Sequence, residues 1–290
     1  MRKAALLVCL VVCPVALGCQ APTEIDNVSY DDRYAETKLD LFLPEGGGSA
    51  RPTVLMIHGG AWRMGDKDHF ANAGRRLARS GWVAASINYR LVPDGVFPRA
   101  AQDSGCALAF LQENASRWDI DPKRIAVMGY SAGGHLASLL GVAWNEDAIR
   151  PDCASGRPSR PAAAIPGSGV HDLRARSNAS WVQDFMGGSL DELPAEYEQA
   201  SPIAQIDPGE PPFLLVTGGA DWIGVEEQSQ WMRDALRAEG NEAEELRLAG
   251  AGHLLQPGVD SGEIQFQTAL ETPEAWLVLA DFLARTIGEP

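Results

Sequence analysis

Residues 124–137 read RIAVMGYSAGGHLA and combine the patterns of a buried strand, a tight turn and a helix. Its first part, Arg124 to Met128, contains the apolar run Ile125 to Met128 and predicts a strand buried on both faces of a sheet. A helix is predicted to begin at Ala132 and to continue to about Trp144. Between strand and helix lies a G-x-S-x-G pentapeptide centred on Ser131, and this setting is typical of a nucleophile held at a sharp turn. The alternative interpretation is a glycine-rich turn with a capping serine.

Buried strands alternate with helices on both sides of this stretch. Further strands are predicted at 37–43, 53–57, 82–87, 162–166, 212–216 and 245–248, and helices at 70–79, 98–117, 226–239 and 272–286. This alternation implies an α/β fold, with a mostly parallel central sheet covered by helices on both faces and the first predicted strand at one edge. Residues 173–206 fit the alternation poorly and are predicted to be a small insertion over the active site. Residues 37–290 are therefore expected to form a single domain.

The composition is that of a globular protein. The chain has 290 residues, 45% of them apolar, and its 24 basic and 39 acidic side chains give a formal net charge of −15. The apolar fraction excludes a disordered chain, and no internal repeat indicates a coiled coil or collagen. Because an acidic protein of this size repels phosphate backbones, nucleic acid is not an expected partner.

The N-terminus has the pattern of a secretory signal peptide over residues 1–18, with a positive start and an apolar run too short to span a bilayer. Residues 15–19 resemble a bacterial lipobox, which implies that Cys19 is lipidated and becomes the new N-terminus. The alternative is plain secretion with Cys19 unmodified. We expect an exported cell-envelope lipoprotein, facing the periplasm or the outer surface and held at the membrane by its lipid anchor. Residues 19–36 are then a tether and lead-in, with a polar tether from Gln20 to Asn27.

Two cysteines, Cys106 and Cys153, remain beyond this leader. In an oxidising compartment they are able to form one disulfide. The alternative is that Cys106 is simply a buried apolar residue of its predicted helix. The sequence has no CxxC pair and no Cys/His cluster at metal-ligand spacing, so neither a metal site nor a cofactor is expected.

A second glycine motif, HGGAW at residues 58–62, directly follows a predicted strand. Glycines allow backbone N–H groups to approach a ligand closely, and acyl transfer needs such donors because a carbonyl attacked by serine becomes an oxyanion. The predicted oxyanion hole consists of the backbone N–H groups of Gly59, Gly60 and Ala132. His58 is interpreted as a structural hydrogen-bonding residue rather than a base, and Trp62 as either a pocket wall or core.

A nucleophilic serine also needs a base that is oriented by an acid. His253, in the loop AGAGH after the last predicted strand, is the best candidate for the base. The acid is expected earlier in the chain, after another strand. Asp221 is preferred because its strand adjoins the one that leads to His253, and Asp172 is the competing candidate. The remaining histidines, interpreted as packing or loop residues, are His69, His135 and His171.

Taken together, these motifs resemble the α/β-hydrolase fold. They are HGGAW (58–62), NYRL (88–91), FPRAAQD (97–103), DPKRIAVMGYSAGGHLA (121–137), TGGAD (217–221) and GAGH (250–253). More narrowly, the chain is similar to the hormone-sensitive-lipase-like and carbohydrate-esterase-like serine esterases, from about Leu39 to the C-terminus. The resemblance implies that Ser131 is the nucleophile, Asp221 the acid and His253 the base. The chain departs from many relatives at Thr217 and in the loop at 222–225, both close to the acid, where the shape of the pocket is expected to differ.

The reaction expected from this resemblance is hydrolysis of short-chain acyl esters, for example acetyl esters, through an acyl-enzyme intermediate. The substrate is then a small-molecule or saccharide ester. Trp181, Phe185 and Met186 of the insertion either line the substrate pocket or anchor the insertion, and the other candidate pocket residues are Trp62 and Trp222. Alternative functions are an aryl-formamide hydrolase, a peptidase of the same fold, and a non-catalytic binding module. Export argues against an aryl-formamide hydrolase, and the lack of room for an extra domain argues against a peptidase. The presence of all the catalytic residue types argues against a non-catalytic binding module.

Overall fold

The computed structural model describes residues 21–46, 50–147, 149, 151, 153–253 and 272–290. The predicted signal peptide and Cys19 lie outside this part of the chain. The described strands are β1 (Thr23–Ser29), β2 (Lys38–Leu43), β3 (Arg51–Ile57), β4 (Val83–Ile87), β5 (Ile120–Tyr130), β6 (Ala163–Gly167), β7 (Phe213–Gly218) and β8 (Ala243–Leu248). The described helices are α1 (Ala71–Arg79), α2 (Arg99–Glu113), α3 (Ala132–Val142), α4 (Ser180–Met186), α5 (Pro194–Gln199), α6 (Glu226–Ala238) and α7 (Pro273–Thr286).

The strands form one sheet in the order β1-β2-β4-β3-β5-β6-β7-β8. The two N-terminal strands pair antiparallel with their neighbours, whereas β3 to β8 are parallel to one another. This mostly parallel sheet confirms the predicted fold class. From β3 the chain continues to β4 on one side, and β5 then lies on the other side of β3. At such a reversal of strand order the connections leave the sheet in opposite directions, which opens a crevice at the carboxyl ends of β3 and β5. Open α/β sheets bind ligands in this crevice.

The central strands are covered on both faces because alternate side chains enter two separate cores. Leu55 and Ile57 of β3 belong to a core shared with α2 and α3, and Val54 and Met56 belong to a core shared with α1 and α7. All four side chains are fully buried. Because both faces of these strands are buried, their residues do not alternate between polar and apolar. This explains the continuous apolar runs in the sequence.

The predicted polar tether is wrong over part of its length, because Thr23–Ser29 forms β1. This strand pairs with β2 in the register Ile25↔Leu41, so β1 rather than β2 is the edge of the sheet. The strand is mostly exposed and partly acidic, so its sequence lacks the apolar pattern that predicts a strand. It is held by main-chain pairing and by an ion pair between Glu24 and Arg75 of α1, 2.8 Å apart.

The insertion at 173–206 contains α4, α5 and two short 3-10 turns, at Arg174–Arg176 and Pro202–Gln205. Helix α4 packs its buried face into the core that contains α3. Within the described ranges, every helix falls short of the length and apolarity needed to cross a bilayer.

Candidate active site

Ser131 occupies the turn between β5 and α3. Its backbone has φ +53° and ψ −115°, a conformation that is rare for a residue with a side chain and that occurs where the surrounding structure enforces it. The flanking glycines are required by close backbone approach. A Cβ on Gly129 would lie 2.1 Å from the carbonyl oxygen of Gly133, and a Cβ on Gly133 would lie 1.9 Å from that of Ile57. The sequence GYSAG is therefore the one that fits this turn.

The structure brings Ser131, His253 and Asp221 into one hydrogen-bonded chain. The Nε2 atom of His253 lies 3.0 Å from the Oγ atom of Ser131, and its Nδ1 atom lies 2.8 Å from Oδ2 of Asp221. The other carboxylate oxygen of Asp221 accepts a hydrogen bond from the N–H of Ile223 at 2.9 Å. Because the carboxylate accepts the Nδ1 proton, Nε2 is left to accept the proton of the serine hydroxyl. This arrangement can activate the serine as a nucleophile.

Asp172, the alternative acid, does not contact this chain. Its carboxylate oxygens accept hydrogen bonds from Nε and Nη2 of Arg174, at 2.9 and 3.0 Å. Gln228 of α6 fixes the backbone here, since its side-chain oxygen accepts the N–H groups of His171 and Asp172. Asp172 thus stabilises the start of the insertion.

The HGGAW loop adopts an unusual backbone after β3. Gly60, Ala61 and Trp62 have φ angles of +115°, +52° and +56°. A Cβ on Gly60 would lie 2.0 Å from the carbonyl oxygen of Met64, so no other residue fits there. This turn brings Ala61 to the same cavity as Ser131 and Ala132. The predicted oxyanion donors Gly59 and Gly60 immediately precede Ala61 in this turn.

His58 stands behind the loop as a structural residue. Its ring stacks on Tyr89 with centroids 4.4 Å apart, and its Nδ1 atom lies 2.7 Å from the carbonyl oxygen of Gly59. Burial lowers the pKa of His58 to about 4, so the ring is neutral at pH 7 and donates its Nδ1 proton to that carbonyl. The imidazole therefore orients the Gly59 peptide.

A cavity of about 450 Å³ opens beside Ser131 and His253. Three of the predicted pocket residues line it: Trp62, Trp181 and Trp222. Trp222 is 76% exposed and forms the outer rim, whereas Trp62 is fully buried. The indole of Trp62 also stacks on Phe185 with centroids 4.1 Å apart, so this residue belongs to both the wall and the core.

Of the two interpretations of Phe185, pocket lining or anchoring of the insertion, the structure supports the second. Its side chain is fully buried on the inner face of α4, behind Trp62, and Met186 is buried with it. Both residues anchor the insertion to the body of the protein, because their side chains are packed in the core that contains α3. Of the three candidates in the insertion, Trp181 is the one that reaches the cavity.

Sequence reasoning missed Arg176, which also lines the cavity. Its guanidinium Nη2 donates a hydrogen bond to the carbonyl oxygen of Gly224, in the loop that carries Asp221. The residue ends the short 3-10 turn Arg174–Arg176, which contains no sequence motif, so no local pattern indicated a role. The described residues contain no cluster of three or more His, Cys, Asp or Glu side chains that could hold a metal ion.

The model of the BD-FAE family matches residues 39–236. The chain belongs to the BD-FAE family. Its match to esterase LipC of Mycobacterium tuberculosis is 33% identical over 211 residues, which is 70% of this chain and 52% of LipC. Its match to isoprenylcysteine alpha-carbonyl methylesterase ICME of Arabidopsis thaliana is 28% identical and covers 78% of this chain and 56% of that protein. The chain thus spans about half the length of these curated relatives.

Solved structures show the same fold. A truncated carbohydrate esterase from gut microbiota superposes with a TM-score of 0.78 at 24% identity, over 92% of this chain and 97% of that one. The resemblance to α/β-hydrolase esterases that the motifs indicated is confirmed by this family match and this fold.

Proposed function

We propose that this BD-FAE family protein is a serine esterase that hydrolyses short-chain acyl esters of small molecules or saccharides. The hydrogen-bonded chain Asp221–His253–Ser131, with the serine facing a cavity, carries the proposal. The names of the curated relatives, which include esterases, support it. No metal or organic cofactor takes part in the proposed reaction.

The reaction begins when His253 accepts the proton of Ser131 and the Oγ atom attacks the ester carbonyl carbon. The carbonyl oxygen becomes an oxyanion, which the N–H groups of Gly59, Gly60 and Ala132 stabilise. The bond to the alcohol oxygen then breaks, the alcohol leaves with the proton from His253, and the acyl group stays on Ser131. Water then gives a proton to His253 and attacks the acyl carbon. When the bond to the Oγ atom of Ser131 breaks, His253 returns that proton to Ser131 and the acid leaves. Asp221 stabilises the imidazolium that forms in both halves of the cycle.

The shape of the cavity favours short acyl groups. Its volume of about 450 Å³ is at the small end for ligand pockets, and the buried ring of Trp62 closes one wall against the core. At the open end, Trp181 and the exposed Trp222 present aromatic faces on which a sugar or another ring can stack.

Hydrolysis of p-nitrophenyl acetate, butyrate and octanoate tests the proposal. We expect kcat/KM to fall steeply with chain length, and to fall by at least about 10⁴-fold in Ser131→Ala. Ser138→Ala, a substitution in the same helix at a serine bonded to His171, serves as the control and should retain turnover. A folded protein with no turnover on any ester would contradict the proposal. Labelling of wild type but not Ser131→Ala by a fluorophosphonate would separate an activated serine from a binding module.

We also propose that the protein is exported and lipidated at Cys19, as the lipobox-like residues 15–19 indicate. A Cys19→Ala variant expressed in bacteria should then leave the membrane fraction, because its acyl chains are lost. Mass spectrometry of the wild-type N-terminus checks the modification directly. An unmodified N-terminus at or after Gln20 on membrane-extracted protein would overturn this proposal.

A further inference from the structure

The cavity beside Ser131 contains one cationic side chain whose charge is not balanced by a described carboxylate. Apart from Ser131 and His253, the side chains that line the cavity are apolar or aromatic, with the exception of Arg176. The guanidinium of Arg176 bonds to a neutral group, the carbonyl oxygen of Gly224, and forms no ion pair within the part of the chain that the structure describes. Arg174, two residues earlier, is by contrast paired with Asp172 at 2.9 Å. Among the described residues, no carboxylate therefore neutralises the charge that Arg176 presents to the cavity.

The positive charge of Arg176 is opposite in sign to the net charge of the protein. The formal net charge of the protein is −15, so its overall field repels anions. A cation at an apolar wall loses part of its hydration, and one carbonyl oxygen replaces only one of the hydrogen bonds that five guanidinium N–H groups can donate. A carboxylate satisfies the remaining donors well, because its two oxygens match the planar fork of the guanidinium.

The bond to Gly224 also holds the guanidinium in place. It joins the 3-10 turn Arg174–Arg176 to the loop after β7, which carries both Asp221 and Trp222. A side chain already fixed in its binding position loses little conformational entropy when a ligand arrives. Arg176 thus lies at a set position relative to Ser131, with Trp181 and Trp222 in the same cavity.

We propose that Arg176 binds a carboxylate of the substrate, so that the preferred esters are anionic. This inference rests on the proposed esterase function and adds the chemical class of its substrate. The carboxylate belongs either to the acyl part or to the alcohol part of the ester, and the ring faces of the two tryptophans suit a cyclic group between the ester and the acid.

Matched pairs of esters test both placements of the carboxylate. On the alcohol side, para-acetoxybenzoate is compared with the neutral para-acetoxybenzamide; on the acyl side, p-nitrophenyl succinate monoester is compared with the corresponding succinamide. We expect wild type to prefer the anionic member of one pair by roughly 10- to 100-fold in kcat/KM, the range of a charge-assisted hydrogen bond. Since the carboxylate is bound equally in the ground state and the transition state, the preference should appear in KM rather than in kcat.

Arg176→Gln should abolish this preference, because it should raise KM roughly 10- to 100-fold more for the anionic ester than for the neutral one. Arg176→Lys should retain part of the preference, and Arg174→Gln, which removes a paired arginine outside the cavity, should retain all of it. Equal treatment of charged and neutral esters by wild type would overturn the inference. So would an equal loss on both esters in Arg176→Gln, which would mean that Arg176 only ties the insertion to Gly224.

A binding measurement separates failure of this inference from failure of the esterase proposal. Calorimetric titration of Ser131→Ala with para-acetoxybenzoate and with the succinate monoester requires no turnover. Introducing Arg176→Gln into that background should raise Kd for one of them by the same roughly 10- to 100-fold. Unchanged Kd values would overturn the role of Arg176, whether or not the wild type hydrolyses esters. Absence of turnover together with Arg176-dependent binding would instead contradict the esterase proposal.

Discussion

Asp221 and Asp172 each follow a strand of the sheet, but they have different partners. Asp221 contacts His253, whereas Asp172 contacts Arg174. We predict that Asp221→Asn lowers kcat by about 10⁴-fold, because an amide cannot hold the imidazole in the tautomer that accepts the serine proton. Asp172→Asn is the matched control and should lower kcat by less than about tenfold, since it changes a surface-proximal ion pair. Steady-state kinetics of both variants measure this difference, and a larger loss of kcat in Asp172→Asn would show that the acid has been assigned incorrectly.

The individual residues of the site differ in how well the sequence predicts them. Ser131, Asp221 and His253 lie in short motifs next to strand ends, so their neighbourhood can be predicted from local pattern alone. The conformation of Ala61 and Trp62 cannot, because neither residue favours a positive φ. Each costs on the order of 1–3 kcal/mol there. The stacking of Trp62 on Phe185, about 120 residues later in the chain, helps to hold the turn, and such a long-range contact leaves no local trace.

At the level of elements, the sequence predicts the parallel strands and their helices well and the edge of the sheet poorly. Strands buried on both faces are continuous apolar runs, and a short run of that kind between turn residues is typical of a central parallel strand. Strand β1 has the sequence TEIDNVS, and its register with β2 shifts between Ile25 and Val28, around Asn27 at φ +58°. Its stability comes from pairing with β2 rather than from its own composition. The amino-acid pattern of residues 23–29 alone therefore could not predict strand β1.

Cys106 of α2 and Cys153 of the segment after α3 place two thiols side by side. The hydrogen bond between these thiols, together with burial, raises the pKa of Cys106. We predict that oxidised glutathione converts this pair to a disulfide: the thiolate of Cys153 attacks it, and the thiol of Cys106 then displaces the bound glutathione, releasing two reduced glutathiones in all. A bridge closing this long loop is expected to raise the free energy of unfolding by about 4 kcal/mol.

Intact mass, thiol titration and thermal unfolding before and after treatment check this prediction. Cys153→Ser is the control, because it retains Cys106 and cannot form the bridge. A stable glutathione adduct in wild type, with no loss of both thiols, would contradict the prediction. An unchanged Tm after quantitative bridging would contradict only the expected stabilisation.

The protein as a whole buries histidines in their neutral form, and this makes its stability depend on pH. Burial lowers the pKa of His58 and His135 to about 4 and that of His171 to about 3, from an ordinary value of 6.5. Between these values the unfolded chain binds protons that the folded protein does not, so the free energy of unfolding rises with pH. The stabilisation is complete above about pH 6.5 and is lost as the pH falls toward 4, with a slope of up to about 1.4 kcal/mol per pH unit for each histidine.

Denaturant unfolding at several pH values between 7.5 and about 4.5 measures this slope. His171→Asn removes the proton that His171 takes up on unfolding, so its free energy of unfolding should fall less steeply with decreasing pH, by up to about 1.4 kcal/mol per pH unit. Ser138→Ala removes the hydrogen bond to Nδ1 of His171, 3.2 Å away, but keeps the titrating ring. This control should be destabilised equally at all pH values and keep the wild-type slope. Identical slopes in wild type and His171→Asn would mean that the acid sensitivity arises from the carboxylates and not from this buried histidine.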